Sequence, residues 1–180
     1  LSFLELLYCA MLPSANEACN VLAEYLAGDI DSFVDRMNQR AAELGCTGTH
    51  FVNTHGMPND NHYSTAYDLY LITRNAMSLP LFEDIVSVHS HTVPATNLSE
   101  ARQLTSTNML LNPNSRYYYE HASGVKTGHT DAAGYCLIST ASNEDRHMIS
   151  VVLGANSVVI EDGTTQVQSF SETIRLFDWG

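Results

Sequence analysis

The chain has 180 residues, which fits one domain with enough chain to bury a core. Apolar residues make up 44%, as in ordinary globular proteins, and no apolar run reaches the length of a membrane-spanning helix. One lysine and seven scattered arginines stand against 20 acidic residues, and the net charge of −12 argues against nucleic-acid binding and against attraction to anionic membranes.

Leu1 to Leu12 is apolar nearly all round and is predicted to be a buried helix. Pro13 closes it, because the residue before a proline is pushed out of the helical region. The segment has no basic n-region and no cleavage signature, so it does not read as a signal peptide. With no initiator methionine, the sequence is expected to be part of something longer. Ser14-Ala15-Asn16 stands at the junction. A second helix is predicted to about Ala27, with Ala18, Val21, Leu22, Tyr25 and Leu26 at helical spacing and Gly28 as its stop. Asp31 is a good N-cap for a third helix carrying Phe33, Val34, Met37, Ala41 and Leu44, which Gly45 ends.

Thr47 to Pro58 reads as a short extended stretch, and Asn59 to His62 as polar loop. Thr65-Ala66-Tyr67-Asp68 has capping-box spacing and opens a fourth helix to about Ser78. Leu81 to Ser87 is a shorter helical piece. Val88 to Tyr119 reads as irregular apart from a helix turn over Thr105 to Leu111. Gly134 to Ala141 and His147 to Gly154 are β-runs joined by a turn at Ser142 to Asp145, and both are apolar enough to be covered on two faces. Gly163 to Trp179 returns to helix spacing, with Val167, Phe170, Ile174 and Phe177 inward. Helices, then a hairpin, then a helix that can cover it, make an α+β arrangement in one domain. The helical part runs to about residue 111, and the sheet and last helix occupy about 117–180.

The cysteines, Cys9, Cys19, Cys46 and Cys136, show no C-x-x-C spacing and read as small buried hydrophobes, with a disulfide among them the alternative, whose pairing the sequence does not assign. His50, His55 and His62 cluster near Asp60, and His89-x-His91 forms another pair. None matches a zinc-protease pattern, so local hydrogen bonding in loops is the better reading, and no metal or cofactor is expected. Asn97-Leu98-Ser99 is a formal glycosylation sequon of a kind that arises readily by chance.

Two triplets carry chemistry. Ser14-x-Asn16 alone is a helix cap, and Lys126-Thr127-Gly128 alone is a strand-edge lysine before a turn glycine. Their order, with Ser-x-Asn at a helix junction and Lys-Thr-Gly far downstream before an apolar hairpin, is two thirds of a serine acyl-transferase set. The surrounding segments extend the match: Leu6-Leu7-Tyr8-x-x-Met11-Leu12-Pro13 before Ser14, then Phe33-Val34-x-x-Met37-Asn38 and Thr49-His50-Phe51-Val52-Asn53-x-His55-Gly56. His62-Tyr63-Ser64-Thr65-Ala66-Tyr67-Asp68-Leu69, Gly124 to Leu137 and Asp178-Trp179-Gly180 complete it. Over essentially its whole length the chain resembles low-molecular-mass penicillin-binding proteins, the serine D-alanyl-D-alanine carboxypeptidases.

That resemblance implies a β-lactamase/transpeptidase-like fold: an antiparallel sheet flanked by helices, here without the N-terminal strands. It implies removal of the terminal D-alanine of peptidoglycan stem peptides through an acyl-enzyme, inhibition by β-lactam antibiotics, and a place on the cell-wall side of the bacterial membrane. By the same resemblance Ser14 relays a proton toward the leaving amine, Asn16 holds the substrate amide, and Lys126 supplies charge beside Ser14. Thr127 donates to the substrate carboxylate, Gly128 lets the substrate strand approach, and the backbone N–H of His129 forms half of the oxyanion hole. The family's nucleophile motif, Ser-x-x-Lys, is not found ahead of Ser14. The one formal match, Ser123-x-x-Lys126, is rejected, since on a strand those positions face opposite ways.

The chain alone is therefore expected to be inactive. Asp68 is expected to cap its helix rather than act as a catalytic acid. A class A β-lactamase relative is disfavoured because no Glu-x-x-Leu-Asn string precedes Lys126, and a non-catalytic binding module of the same fold is the other alternative. Without the N-terminal strands a sheet edge lies open, so poor stability as a monomer, or a homodimer through that edge, is expected.

Overall fold

A computed structural model of the chain describes residues 1–143 and 146–180. Helix α1 (Phe3–Met11) opens on a reciprocal cap, in which Glu5 N donates to Ser2 Oγ and Ser2 N donates to Glu5 Oε2. Leu12 and Cys9 turn inward, but Phe3 and Leu4 are 43% exposed, so this helix buries one side rather than its whole circumference. Helix α2 (Asn16–Ala27) stops at Gly28, whose φ of +90° suits a residue without Cβ. Helix α3 (Ile30–Glu43) is capped by Asp29, which accepts from Ser32 N at 2.7 Å. Asp31, the cap expected from the sequence, lies in the first turn instead. Both are good caps in isolation, and the position of Gly28 decides between them. Helix α4 (Ala66–Met77) begins where its Thr65 cap predicts, with Asp68 N donating to Thr65 Oγ1 at 3.1 Å. Helix α5 (Phe82–Val86) follows.

The stretch expected to be irregular holds a short antiparallel hairpin, β1 (Ser90–Val93) with β2 (Arg102–Thr105). Each strand has four residues, and Val93 is the one fully buried side chain in the pair. That is too little alternation to register as a strand signal. A single 3-10 turn, Met109–Leu111, stands where a longer helix turn was expected.

The main sheet has the order β3 (Ala122–Thr130), β4 (Gly134–Ser142), β5 (His147–Ala155), all antiparallel. Glu144 and Asp145 of the expected turn lie outside the described residues. A second small pair, β6 (Ser157–Val159) with β7 (Thr165–Val167), precedes α6 (Gln168–Trp179). The last helix therefore starts only at Gln168, because 165–167 are held as strand.

One face of the sheet packs Leu137 and Ala141 with Leu110, Tyr117, Phe170 and Phe177 as the main core. Burial of each large side chain there contributes about 1.5–3 kcal/mol. The other face packs against α4 and, with Ile138 and Leu153, borders a cleft shared with Leu69 of that helix, so helices lie on both faces of the hairpin as expected. Among the described residues the outer edge of β5 pairs with no further strand.

Asn108, 1% exposed, joins the helical part to the sheet. Its Nδ2 donates to Gly124 O at 2.8 Å, and its Oδ1 accepts from Leu110 N at 3.1 Å. Ser139 Oγ donates to the same Gly124 carbonyl. Gly124 itself has φ +140°, and a Cβ there would lie 2.7 Å from Val86 Cγ2, so no side chain fits. Replacing Asn108 by alanine leaves the buried Leu110 N–H unpaired. The Asn108→Ala variant is expected to lose about 2–3 kcal/mol in denaturant unfolding, whereas an exposed substitution on the β1–β2 hairpin should change the midpoint little.

Candidate active site

The α1–α2 junction places Ser14 by a tight reversal, in which Ala15 N donates to Cys9 O at 3.0 Å. Ser14 has φ +62°, in the left-handed region that a serine enters at a cost of about 1–3 kcal/mol. It is not the helix cap: Ala15 holds that position and offers no side-chain acceptor. Ser14 is exposed, and neither its hydroxyl nor the Asn16 carboxamide makes a hydrogen bond among the described residues. Two polar side chains at a helix start are thus left unused by the helix.

Lys126 comes from the middle of β3. Its Nζ donates to Thr127 O at 3.0 Å, and among the described residues no carboxylate forms an ion pair with it. Burial lowers its pKa, because the charged form loses water, and the nearby Cys19 thiol on α2 opposes that shift. Burial in turn raises the Cys19 thiol, with Lys126 pulling the other way. Thr127 Oγ1 lies 2.5 Å from Thr107 Oγ1. At Gly128 a Cβ would meet only Cys136 Cβ at 3.8 Å, an ordinary contact, so the fold itself does not require a glycine there. His129 is exposed, its ring centroid 4.1 Å from that of its cross-strand partner Tyr135.

Ser14, Asn16, Lys126, Thr127, Gly128 and His129 all line one cleft of about 720 Å³. Its far wall is the 55–64 loop. Asn38 clamps the start of that wall, donating to Phe51 O at 2.8 Å and accepting from Phe51 N at 2.7 Å. His62 Nδ1 accepts from Val52 N at 3.1 Å, which requires a neutral ring; burial first, then the neighbouring His55 and His50, lowers its pKa. His50 Nδ1 bonds Asn61 O at 2.6 Å. These histidines fasten the loop to itself, and no three His, Cys, Asp or Glu side chains among the described residues are grouped to hold a metal ion.

Asp68 is 3% exposed and does not line the cleft. The capping-box reading holds for its amide only. Its carboxylate instead accepts from Gly48 N at 2.8 Å and Thr49 Oγ1 at 2.7 Å, and those bonds, the Thr49 hydroxyl foremost, keep its pKa low. Ser123 Oγ is 3.0 Å from Thr140 Oγ1, and Ser123 is not among the cleft-lining residues. Sequence reasoning did not single out Thr107 or Asn108. Each sits in Ser106-Thr107-Asn108, which reads as ordinary loop composition, and only the tertiary contacts with β3 give them a role.

Comparison with known proteins matches residues 1–157 to the family model of D-alanyl-D-alanine carboxypeptidases, peptidase S11. The chain is 35% identical over 170 residues to the D-alanyl-D-alanine carboxypeptidase DacA of Escherichia coli, covering 94% of this chain and 38% of that protein. The crystal structure of a D-alanyl-D-alanine carboxypeptidase from Mycobacterium tuberculosis superposes with a TM-score of 0.83 at 32% identity, covering 100% of this chain and 64% of that one. A penicillin-binding protein of Listeria monocytogenes, solved in the cefotaxime-bound form, gives 0.79 at 31% identity, covering 99% and 66%. The chain has the β-lactamase/transpeptidase fold of these structures and spans well under half the length of the curated relative.

The burial of Lys126 has a measurable sign. Its folded pKa lies below the ordinary value of 10.5, so the ammonium destabilises the fold fully at neutral pH. That penalty fades as pH rises through the folded pKa toward 10.5. Lys126→Met is therefore expected to be more stable than wild type at pH 7, on the order of 1 kcal/mol. Urea midpoints of the two proteins should converge as the pH approaches the lysine range, and a variant less stable at neutral pH would contradict the assignment.

Proposed function

Because the chain belongs to the D-alanyl-D-alanine carboxypeptidase family of serine peptidases, we propose that it builds the substrate-holding side of such an enzyme's cleft. The substrate is the D-alanyl-D-alanine end of a peptidoglycan stem peptide, and β-lactams take the same place. The carrying observation is that, among the described residues, the half-buried Lys126 has no carboxylate partner and faces a cleft with two unengaged polar side chains, Ser14 and Asn16.

In this reading a serine of a Ser-x-x-Lys segment outside these residues attacks the carbonyl between the two D-alanines. The oxyanion is held by the N–H of His129 and the nucleophile's own N–H. As the new C–O bond forms, the lysine of that Ser-x-x-Lys segment takes the serine's proton, and as the C–N bond breaks Ser14 relays a proton to the leaving amine, since its hydroxyl both accepts and donates. D-alanine departs, and water then hydrolyses the ester. Asn16 holds the substrate amide through its carboxamide. Lys126 and Thr127 meet the terminal carboxylate, which supplies the counter-charge that no carboxylate among the described residues gives. Gly128 keeps the strand free of a side chain the fold could tolerate, leaving room for the substrate backbone. Such a substrate places the enzyme on the cell-wall side of the bacterial membrane.

Incubation of the full-length protein with a labelled penicillin, followed by peptide mass mapping, tests this. One covalent adduct is expected, on a serine outside the 180 residues, while the 180-residue chain alone stays unlabelled. Labelling of Ser14 or Ser123 would overturn the nucleophile assignment, and an unlabelled full-length protein would overturn the activity.

The open outer edge of β5 carries a second proposal: two copies of the 180-residue chain pair along it. Sedimentation velocity should show a dimer that a proline within β5 disperses. A monomer with a cooperative melt would remove the proposal.

A further inference from the structure

Thr127 does not present its hydroxyl to the cleft alone. Its Oγ1 lies 2.5 Å from Thr107 Oγ1, and each hydroxyl has one proton to give. Thr107 is tied by its backbone to the other motif, since its N–H donates to Leu12 O at 3.2 Å, two residues ahead of Ser14. Thr107 Oγ1 also lies 3.5 Å from that Leu12 oxygen, beyond the usual range for a hydroxyl bond.

Two proton arrangements are open to the pair. In one, Thr127 donates to Thr107, and Thr107 turns its own proton toward Leu12 O. Thr127 then shows the cleft only lone pairs, which repel an anion. In the other, Thr107 donates to Thr127, and the Thr127 proton is free to point into the cleft. Moving from the first to the second gives up only the long contact to Leu12 O.

We propose that Thr107 is a positioning residue that sets the Thr127 proton toward an incoming carboxylate, so that the cleft selects peptides with a free C-terminal acid over the same peptides as amides. An approaching carboxylate favours the order Thr107 to Thr127 to carboxylate. In that order each hydroxyl bond polarises the next, and the last is charge-assisted. Lys126 contributes to the same preference by charge alone, so loss of Thr107 weakens the selection without removing it. The proposal rests on the reading of the cleft as a D-alanyl-D-alanine site.

The test is equilibrium binding to the full-length protein, which needs no chemical step. Acetyl-D-alanyl-D-alanine and its terminal carboxamide are titrated against wild type, Thr107→Val, Thr107→Ala and Thr107→Ser, with a melting curve for each. Wild type is expected to prefer the acid. The valine and alanine variants should lose about fivefold to tenfold of that preference, the size of one neutral hydrogen bond, through weaker binding of the acid alone. Thr107→Ser, which keeps the hydroxyl, should restore it. Thr107 is exposed, so at least the alanine form is expected to fold.

A wild type with no acid preference, a parallel loss for acid and amide, or a serine variant that behaves like alanine would each overturn the proposal. A protein that shows the expected pattern but forms no penicillin adduct would leave the hydroxyl pair standing and remove the proposed reaction.

Discussion

The ammonium of Lys126 is the constraint around which this structure is arranged. A chain with 20 acidic residues has ample means to pair its single lysine. Among the described residues the ion pairs made instead, Arg40 with Glu43 and Arg175 with Glu172, lie along exposed helix surfaces, where they contribute little. Among the described residues the half-buried charge, where a partner would matter most, meets only the carbonyl of its own neighbour. Left so, the ammonium lowers the stability of the fold, because burial strips it of water without giving a charge in return.

Holding that charge beside Ser14 and Asn16 is a problem of long-range order, because the two motifs are far apart in the chain. The solution is backbone pinning rather than side-chain pairing. Ala15 N on Cys9 O fixes the turn that exposes Ser14, and Asn108 and Ser139 both hold Gly124 O at the start of the lysine strand. Thr107 touches both systems, through Leu12 O and through Thr127. Among the described residues the Ser14 hydroxyl and the Asn16 carboxamide stay free because the positioning falls to backbone atoms and to the side chains of Asn108, Ser139 and Thr107. Asp68, in the first turn of α4 and away from the cleft, shows a carboxylate used up in the same kind of task, holding Gly48 and Thr49.

What could be read from the sequence follows from how local each signal is. Helix α4 was legible because Thr65 and its apolar spacing lie within one window, and β4 and β5 because their apolar runs are long. The β1–β2 hairpin was not, since its four-residue strands bury too little to leave a period. The start of α6 was misplaced because 165–167 satisfy a helical pattern while pairing with 157–159 as strand. The six cleft residues were recoverable through their motifs, which a family resemblance can carry across any distance. Thr107 and Asn108 were not, because their roles consist of contacts with β3 that no spacing within their own segment encodes.

The cleft differs from a structural cluster in a way that needs no relative to recognise it. At three positions the local choice works against the stability of the fold. Ser14 sits in a backbone region that glycine or asparagine would occupy at less cost. Lys126 holds a charge where methionine would pack without desolvation. Gly128 accepts the entropy of glycine in a strand, although an alanine Cβ would meet nothing closer than 3.8 Å. Any one of these could be an accident of sequence drift. They converge on one cleft in which, among the described residues, Ser14 and Asn16 are unengaged, and local departures from stability that cluster in this way mark functional sites rather than packing.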